Sequence, residues 1–243
     1  MFRPESNDDP NIPQFPPLNL RDLSIPSNVW TMIKWLMILA GVILLFVFLS
    51  IARGIYTDLL WFESTDFQSV YLKILTTKIW LFFIGALGFG VFLSASLKLA
   101  YRFTFGESVI ELSSDVKTWL RRISIFGPIA AVLLLSIIFG STTSSHWETI
   151  LRFNNYTAFN VIDPQFHRDV AFYVFTMPVL SLIQSWLVSA IVMVAIVTGV
   201  TYYLRTISRG LTFTISPQLR NHMAILGALL LFNIAFGYYL NIF

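Results

Sequence analysis

The sequence predicts an all-α fold: a polytopic transmembrane helix bundle of about five spans, with one amphipathic helix lying in the membrane plane. Three observations predict it. Of the 243 residues, 56% are hydrophobic and only 12% are charged, and the mean hydropathy is +0.72, too apolar for a chain that folds in water. Five uncharged runs of 18 residues or more match the roughly 20 residues that a helix rising about 1.5 Å per residue needs to cross a hydrocarbon core of about 30 Å. Between the second and third runs, apolar residues recur at intervals of three and four, with charges on the opposite face.

Taken in order, residues 1–31 hold six of the ten prolines together with Glu5, Asp8, Asp9 and Asp22. They are expected to be a disordered cytoplasmic tail without the basic start of a signal peptide, so the first span stays uncleaved. The membrane domain then occupies residues 32–243, with spans near 33–52, 79–100, 123–145, 178–204 and 223–242. The fourth apolar run, 170–204, is too long for one straight span; Pro178 favours a helix start there and leaves Phe172, Tyr173 and Phe175 in the interface. Lys34, Trp35, Lys78, Trp80, Tyr202, Tyr203 and Arg205 stand at run ends as headgroup anchors. When the spans alternate, 11 Lys and Arg fall on the N-terminal side and 5 on the other. The positive-inside rule places the N-terminus in the cytoplasm and the C-terminus outside a multi-pass plasma-membrane protein.

Residues 107–122 form the amphipathic surface helix, with Val109, Leu112, Val116, Trp119 and Leu120 on one face and a capping box from Ser108 to Glu111. Residues 53–77 mix aromatic side chains with Asp58, Glu63 and Asp66 in a spacing that matches no calcium loop, and are expected to be an interfacial helix. Residues 141–177 make a long outside loop, expected to be a folded lid or docking surface. Its His146 and His167 lie 21 residues apart, in no zinc-binding spacing.

Several chemistries lack their residues. With zero Cys there are no thiolate metal sites, Fe–S clusters or disulfides. No Asp, Glu, Lys, Arg or His stands in the middle of a run, as pumps and ion exchangers require. A net charge of +3 offers nucleic acid no basic surface. No catalytic residue, cofactor or metal is therefore assigned, and the chain is not expected to be an enzyme.

The spans carry small and neutral polar residues instead. Ala86, Gly90 and Ser94, and again Ser181, Ser185 and Ser189, recur every four residues as narrow faces for helix packing. Gln184 and Asn233, the most polar side chains in the runs, are expected to hydrogen-bond between helices. Trp61, Phe62, Trp147 and Phe166 in the outside segments are the candidate partner contacts. These features predict a non-enzymatic scaffold or small subunit of a larger membrane complex, with the lipid bilayer and other membrane subunits as partners. The alternative is a component of a transporter or channel for a neutral solute or lipid, its route lined by Gln184, Asn233 and the serine face.

Three stretches carry a family resemblance: Tyr56-Thr57-Asp58-Leu59-Leu60-Trp61-Phe62-Glu63-Ser64, Ser144-Ser145-His146-Trp147-Glu148-Thr149, and Asp163-Pro164-Gln165-Phe166-His167-Arg168-Asp169-Val170-Ala171-Phe172-Tyr173-Val174-Phe175 before Pro178. With the order of spans, they resemble the N-terminal membrane region of uncharacterised protein family 0182, prokaryotic multi-pass membrane proteins. The resemblance implies a bacterial-type plasma membrane and supplies no catalytic residues. Members of that family continue through further spans into a large extracytoplasmic domain, which implies that this chain is a fragment, a truncated product or a short relative acting as a subunit.

Overall fold

A computed structural model of the chain describes residues 29–102, 114–208 and 217–243. The expected tail, apart from its last three residues, and residues 107–113 of the amphipathic helix lie outside the described residues. Helix α1 spans Val29–Ser64, α2 Gln68–Arg102, α3 Ser114–Ser145, α4 Trp147–Asn154, α5 Met177–Ser208 and α6 Pro217–Leu240, with a π-helical turn at Phe172–Thr176 leading into α5. No strand forms among the described residues, where one isolated bridge joins Ile162 to Asp169. The protein is an all-α bundle in which α1, α2, α3, the π turn with α5, and α6 are each long and apolar enough to cross a membrane.

The helices run beyond the apolar segments that nucleate them. At 36 and 35 residues, α1 and α2 extend about 50 Å each, well past a hydrocarbon core of about 30 Å. Residues 53–77, expected as an interfacial helix, are thus the top of a continuous helical hairpin. No proline interrupts it. It ends where the Ser64 and Thr65 hydroxyls donate to the Trp61 carbonyl, at 2.7 and 3.2 Å, and Asp66 takes a left-handed φ of 61°. Residues 114–122 behave similarly. They form the first turns of α3 and pass into the span without a break, because no helix breaker stands between Arg122 and Ile123 and the Ser124 hydroxyl bonds back to the Arg121 carbonyl at 2.9 Å. The fourth span likewise starts ahead of Pro178: a π turn, closed by the Met177 amide on the Phe172 carbonyl, accommodates the proline in the first turn of α5.

Four helices make the core. Phe89, Leu93 and Leu97 of α2 meet Phe139 of α3, Ala190, Ile191 and Val194 of α5, and Leu226 of α6. Phe89 and Phe139 stack with ring centroids 3.9 Å apart, and Trp186 lies edge-on to Phe139 at 5.7 Å. Helices α2 and α3 touch through glycine. A Cβ at Gly140 would stand 2.8 Å from the Phe82 carbonyl oxygen and 2.9 Å from the Ala86 Cβ. Van der Waals contact, the main attraction between helices in lipid, is thereby brought to backbone range.

Pro128, buried inside α3, has no N–H for the carbonyl four residues earlier. That carbonyl belongs to Ser124, and it accepts instead from the Tyr101 hydroxyl of α2. A proline defect in one helix is thus filled by its neighbour, as a hydrocarbon surround demands.

Candidate functional site

The densest polar chemistry inside the bundle is a cluster where α2, α5 and α6 converge. Ser96 of α2 is 5% exposed, and Thr198 of α5 is fully buried. The Ser96 Oγ stands 2.8 Å from the Thr198 Oγ1 and 3.1 Å from the His222 Nε2 of α6. The Ser96 hydroxyl has one proton and two lone pairs, so it donates to at most one of these neighbours and can accept from the other. Tyr202, one turn beyond Thr198, is 3% exposed and sits with Ala100 and Leu219. Its ring centroid is 6.2 Å from that of His222. The Tyr202 hydroxyl and the His222 Nδ1 have no hydrogen-bond partner among the described residues.

This cluster was not anticipated, since His222 stands at the start of its apolar run and Tyr202 reads as a headgroup anchor. Helix α6 begins at Pro217, however, and turns His222 inward, and α2 and α6 wall Tyr202 in through Ala100 and Leu219. The available signal was Ser96 itself, a hydroxyl inside a long apolar run. A serine beside a histidine suggests nucleophile and base, but here Thr198 shares the Ser96 hydroxyl. The arrangement ties three helices together.

A second polar contact joins α5 to α6 further along. Gln184 Nε2 donates to the Asn233 backbone carbonyl at 3.5 Å, a long bond. Gly237 makes room for it: a Cβ there would stand 2.6 Å from Gln184 Nε2. Asn233 is 7% exposed, and its side-chain Oδ1 has no hydrogen-bond partner among the described residues. Gln184 and Ser181 also border a groove of about 400 Å³ with Tyr238 and Asn241.

The expected packing faces divide. Ala86 and Gly90 lie against α3, where a Cβ on Gly90 would come 2.8 Å from the Ser136 hydroxyl. Ser94 is exposed and borders a cleft beside Pro128. Ser181, Ser185 and Ser189 are exposed too. Ser185 and Ser189 satisfy their hydroxyls on their own helix, at the Leu182 and Ser185 carbonyls 3.1 and 2.9 Å away, and line a cleft between α3 and α5.

The aromatic residues of the connecting segments divide as well. Trp61 is 61% exposed, whereas Phe62 stacks on Tyr71 at 5.1 Å. Lys78 Nζ lies 5.4 Å from the Trp147 ring centroid. Phe166 packs on Phe243 at 5.0 Å, and Arg168 lies over the Phe172 and Phe243 rings at 4.6 and 5.2 Å. The long connection around them is folded, with two aspartates as its fasteners. Asp163 accepts from the Gln165 and Phe166 amides at 3.1 and 2.6 Å. Asp169 accepts from the Phe159, Asn160 and Ala171 amides at 3.2, 2.9 and 2.8 Å. The Ala171 amide does most to hold the Asp169 carboxyl below its ordinary value, with those of Asn160 and Phe159 adding to it against partial desolvation.

Against known proteins, residues 35–243 match the model of the Uncharacterised protein family (UPF0182). A UPF0182 protein of Frankia casuarinae is 29% identical over 214 residues, covering 85% of this chain and 21% of the relative. Relatives from Corynebacterium efficiens and Methanospirillum hungatei are each 34% identical, over 68% and 67% of this chain and 17% of their own length. The chain thus spans about a fifth of the length of the curated relatives it matches. No solved structure matches.

Proposed function

The chain belongs to the uncharacterised protein family UPF0182, and from that premise we propose that its bundle is a non-enzymatic scaffold or subunit module of a larger plasma-membrane complex. The carrying observation is α1. Every residue from Thr31 to Asp58 is exposed, so a helix apolar on all sides meets the rest of the bundle only near its C-terminal end. Such a helix offers a full circumference to neighbouring subunits. The tethered polar groups of α2, α5 and α6 support a packing role over chemistry, and exposed Trp61 is the favoured contact outside the bundle.

The N-terminus is assigned to the cytoplasm and the segment 146–176 to the outside, on the 11-to-5 asymmetry of Lys and Arg. Cysteines introduced singly at Asn155 and Ser208 of this Cys-free chain are expected to label from opposite sides of intact cells; labelling of both from outside overturns the orientation. The scaffold role is tested by mild-detergent extraction and native mass measurement. A co-purifying subunit lost on Trp61→Ala supports it, and a monodisperse monomer that conducts solute in liposomes defeats it. The groove beside Gln184, Ser181 and Asn241 favours the second reading, passage of a neutral solute or lipid, which that flux measurement would reveal.

A further inference from the structure

We propose that the wedge between α1 and the α2–α3 pair binds one phospholipid with a zwitterionic, primary-amine headgroup, its phosphate facing Lys78 and its ammonium facing Asp58. The wedge exists because α1 is fastened near one end. The Tyr71 hydroxyl of α2 donates to the Ile55 carbonyl at 3.2 Å, and Phe62 stacks on Tyr71. Away from that fastening α1 is exposed all round, leaving a cavity of about 510 Å³. This is within the range of about 300–1,000 Å³ typical of small-molecule sites.

Its lining is graded like an amphiphile. Asp58, Lys78 and Ser144 stand at the outer end beside Ile74 and Leu75, while Ile51, Phe82 and Phe83 lie toward the membrane interior with Ser141 as the one hydroxyl among them. The level of that end is fixed by α3: Ser144 Oγ donates to the Lys78 carbonyl at 2.9 Å, one residue before α3 stops at Ser145. Trp147 under the Lys78 ammonium is an interfacial aromatic at the same height. The two charges therefore flank the cavity where headgroups lie, and apolar side chains follow where acyl chains begin.

No ion pair joins Asp58 to Lys78, so the two line the same cavity without neutralising each other. Separated charges of opposite sign match a zwitterion. An anionic headgroup would satisfy Lys78 but meet Asp58 unfavourably. A quaternary amine would bring charge to Asp58 without an N–H to donate. A wedge pinned near the headgroup level and open below suits diverging acyl chains better than a straight helix.

The full chain, purified in mild detergent, is offered equal amounts of phosphatidylethanolamine, phosphatidylcholine and phosphatidylglycerol and examined by native mass measurement. One phosphatidylethanolamine is expected to be retained about fivefold over either competitor, the fold-change that corresponds to about 1 kcal/mol for an exposed charge pair. Asp58→Asn is expected to abolish the preference over phosphatidylglycerol, and Lys78→Gln to weaken all three. Equal retention of the three lipids by the unaltered chain overturns the proposal, as does a preference unchanged by Asp58→Asn.

A measurement on the unaltered sequence complements these variants. A diazirine-bearing phosphatidylethanolamine in liposomes is expected to label residues 51–58 and 78–83 in preference to exposed Ile196 on α5; even labelling of all three overturns the site. A photoreactive residue at Ile51 that captures a polypeptide instead of lipid would also overturn it, while supporting the scaffold role separately.

Discussion

Removing one hydroxyl tests how this bundle tolerates a proline. Tyr101→Phe deletes the hydroxyl that donates to the Ser124 carbonyl, whose helical partner is lost at Pro128. The ring stays, and with it the Arg205 guanidinium 4.1 Å from its centroid. Ser124 is 5% exposed, so the carbonyl cannot turn to water. Leaving such an acceptor unmet costs about 1–3 kcal/mol. Pro128→Ala restores an N–H four residues on, and in that background the loss of the tyrosine hydroxyl should cost about 0.5 kcal/mol or less, since the acceptor keeps one partner. The double-mutant cycle therefore has an expected coupling of about 0.5–3 kcal/mol. It is measured by reversible unfolding in mixed micelles, with the seven tryptophans as the fluorescence signal. If Tyr101→Phe costs the same with alanine as with proline at 128, the hydroxyl does not replace the missing helical bond.

Gly140→Ala places a methyl against the Phe82 carbonyl and the Ala86 Cβ and is expected to destabilise by about 1–3 kcal/mol. Gly227→Ala, with nothing within 4 Å of its Cβ, should lose nothing in the same unfolding assay. Ser96→Ala removes the hydroxyl shared by α2, α5 and α6 and is expected to cost about 0.6–1.7 kcal/mol, the range of interhelical hydrogen bonds in lipid. Asn233→Leu discards an amide oxygen without a partner among the described residues while keeping the backbone carbonyl used by Gln184, so its cost in that assay is expected to stay below about 1 kcal/mol. For Asp169, folding lowers the carboxyl pKa. Its contribution is thus present above the unfolded value of about 3.9 and is lost as pH falls through the lower folded value. Hydrogen exchange at the Phe159, Asn160 and Ala171 amides should quicken at that low pH in the native chain and at neutral pH in Asp169→Asn.

The spans were legible because hydrocarbon leaves the backbone no partner but itself, and each crossing must be written as one long apolar run. Their ends were less so. Nothing in hydropathy marks where a helix stops after leaving lipid, and α1 continues to Ser64 until the hydroxyls of Ser64 and Thr65 and the turn at Asp66 end it. Spacing of four pointed to Ala86 and Gly90, but not to Gly140, which meets Ala86 and the Phe82 carbonyl from α3 and whose partner row is fixed by how two helices cross. His222 and Tyr202 escaped for a related reason. Position within a run tells depth, whereas burial depends on which neighbours stand alongside. Gln184 and Asn233 do lie together across α5 and α6, but through a backbone carbonyl, which no side-chain pattern reveals.

The bond between Ser96 and its two partners also has a place in time. Thr198 follows Ser96 by 102 residues and His222 by 126, so α2 enters the bilayer with a hydroxyl whose final partners have yet to be synthesised. At about 5–20 residues per second, the second partner is made about 6–25 s later. Chain neighbours such as α2 and α3 can pair in that interval through Gly85, Gly90 and Gly140. The three-helix junction cannot close until α6 has been translated. It therefore becomes available only after the α2–α3 contacts, and a chain cut before residue 222 leaves Ser96 without its histidine partner however well the earlier helices have packed.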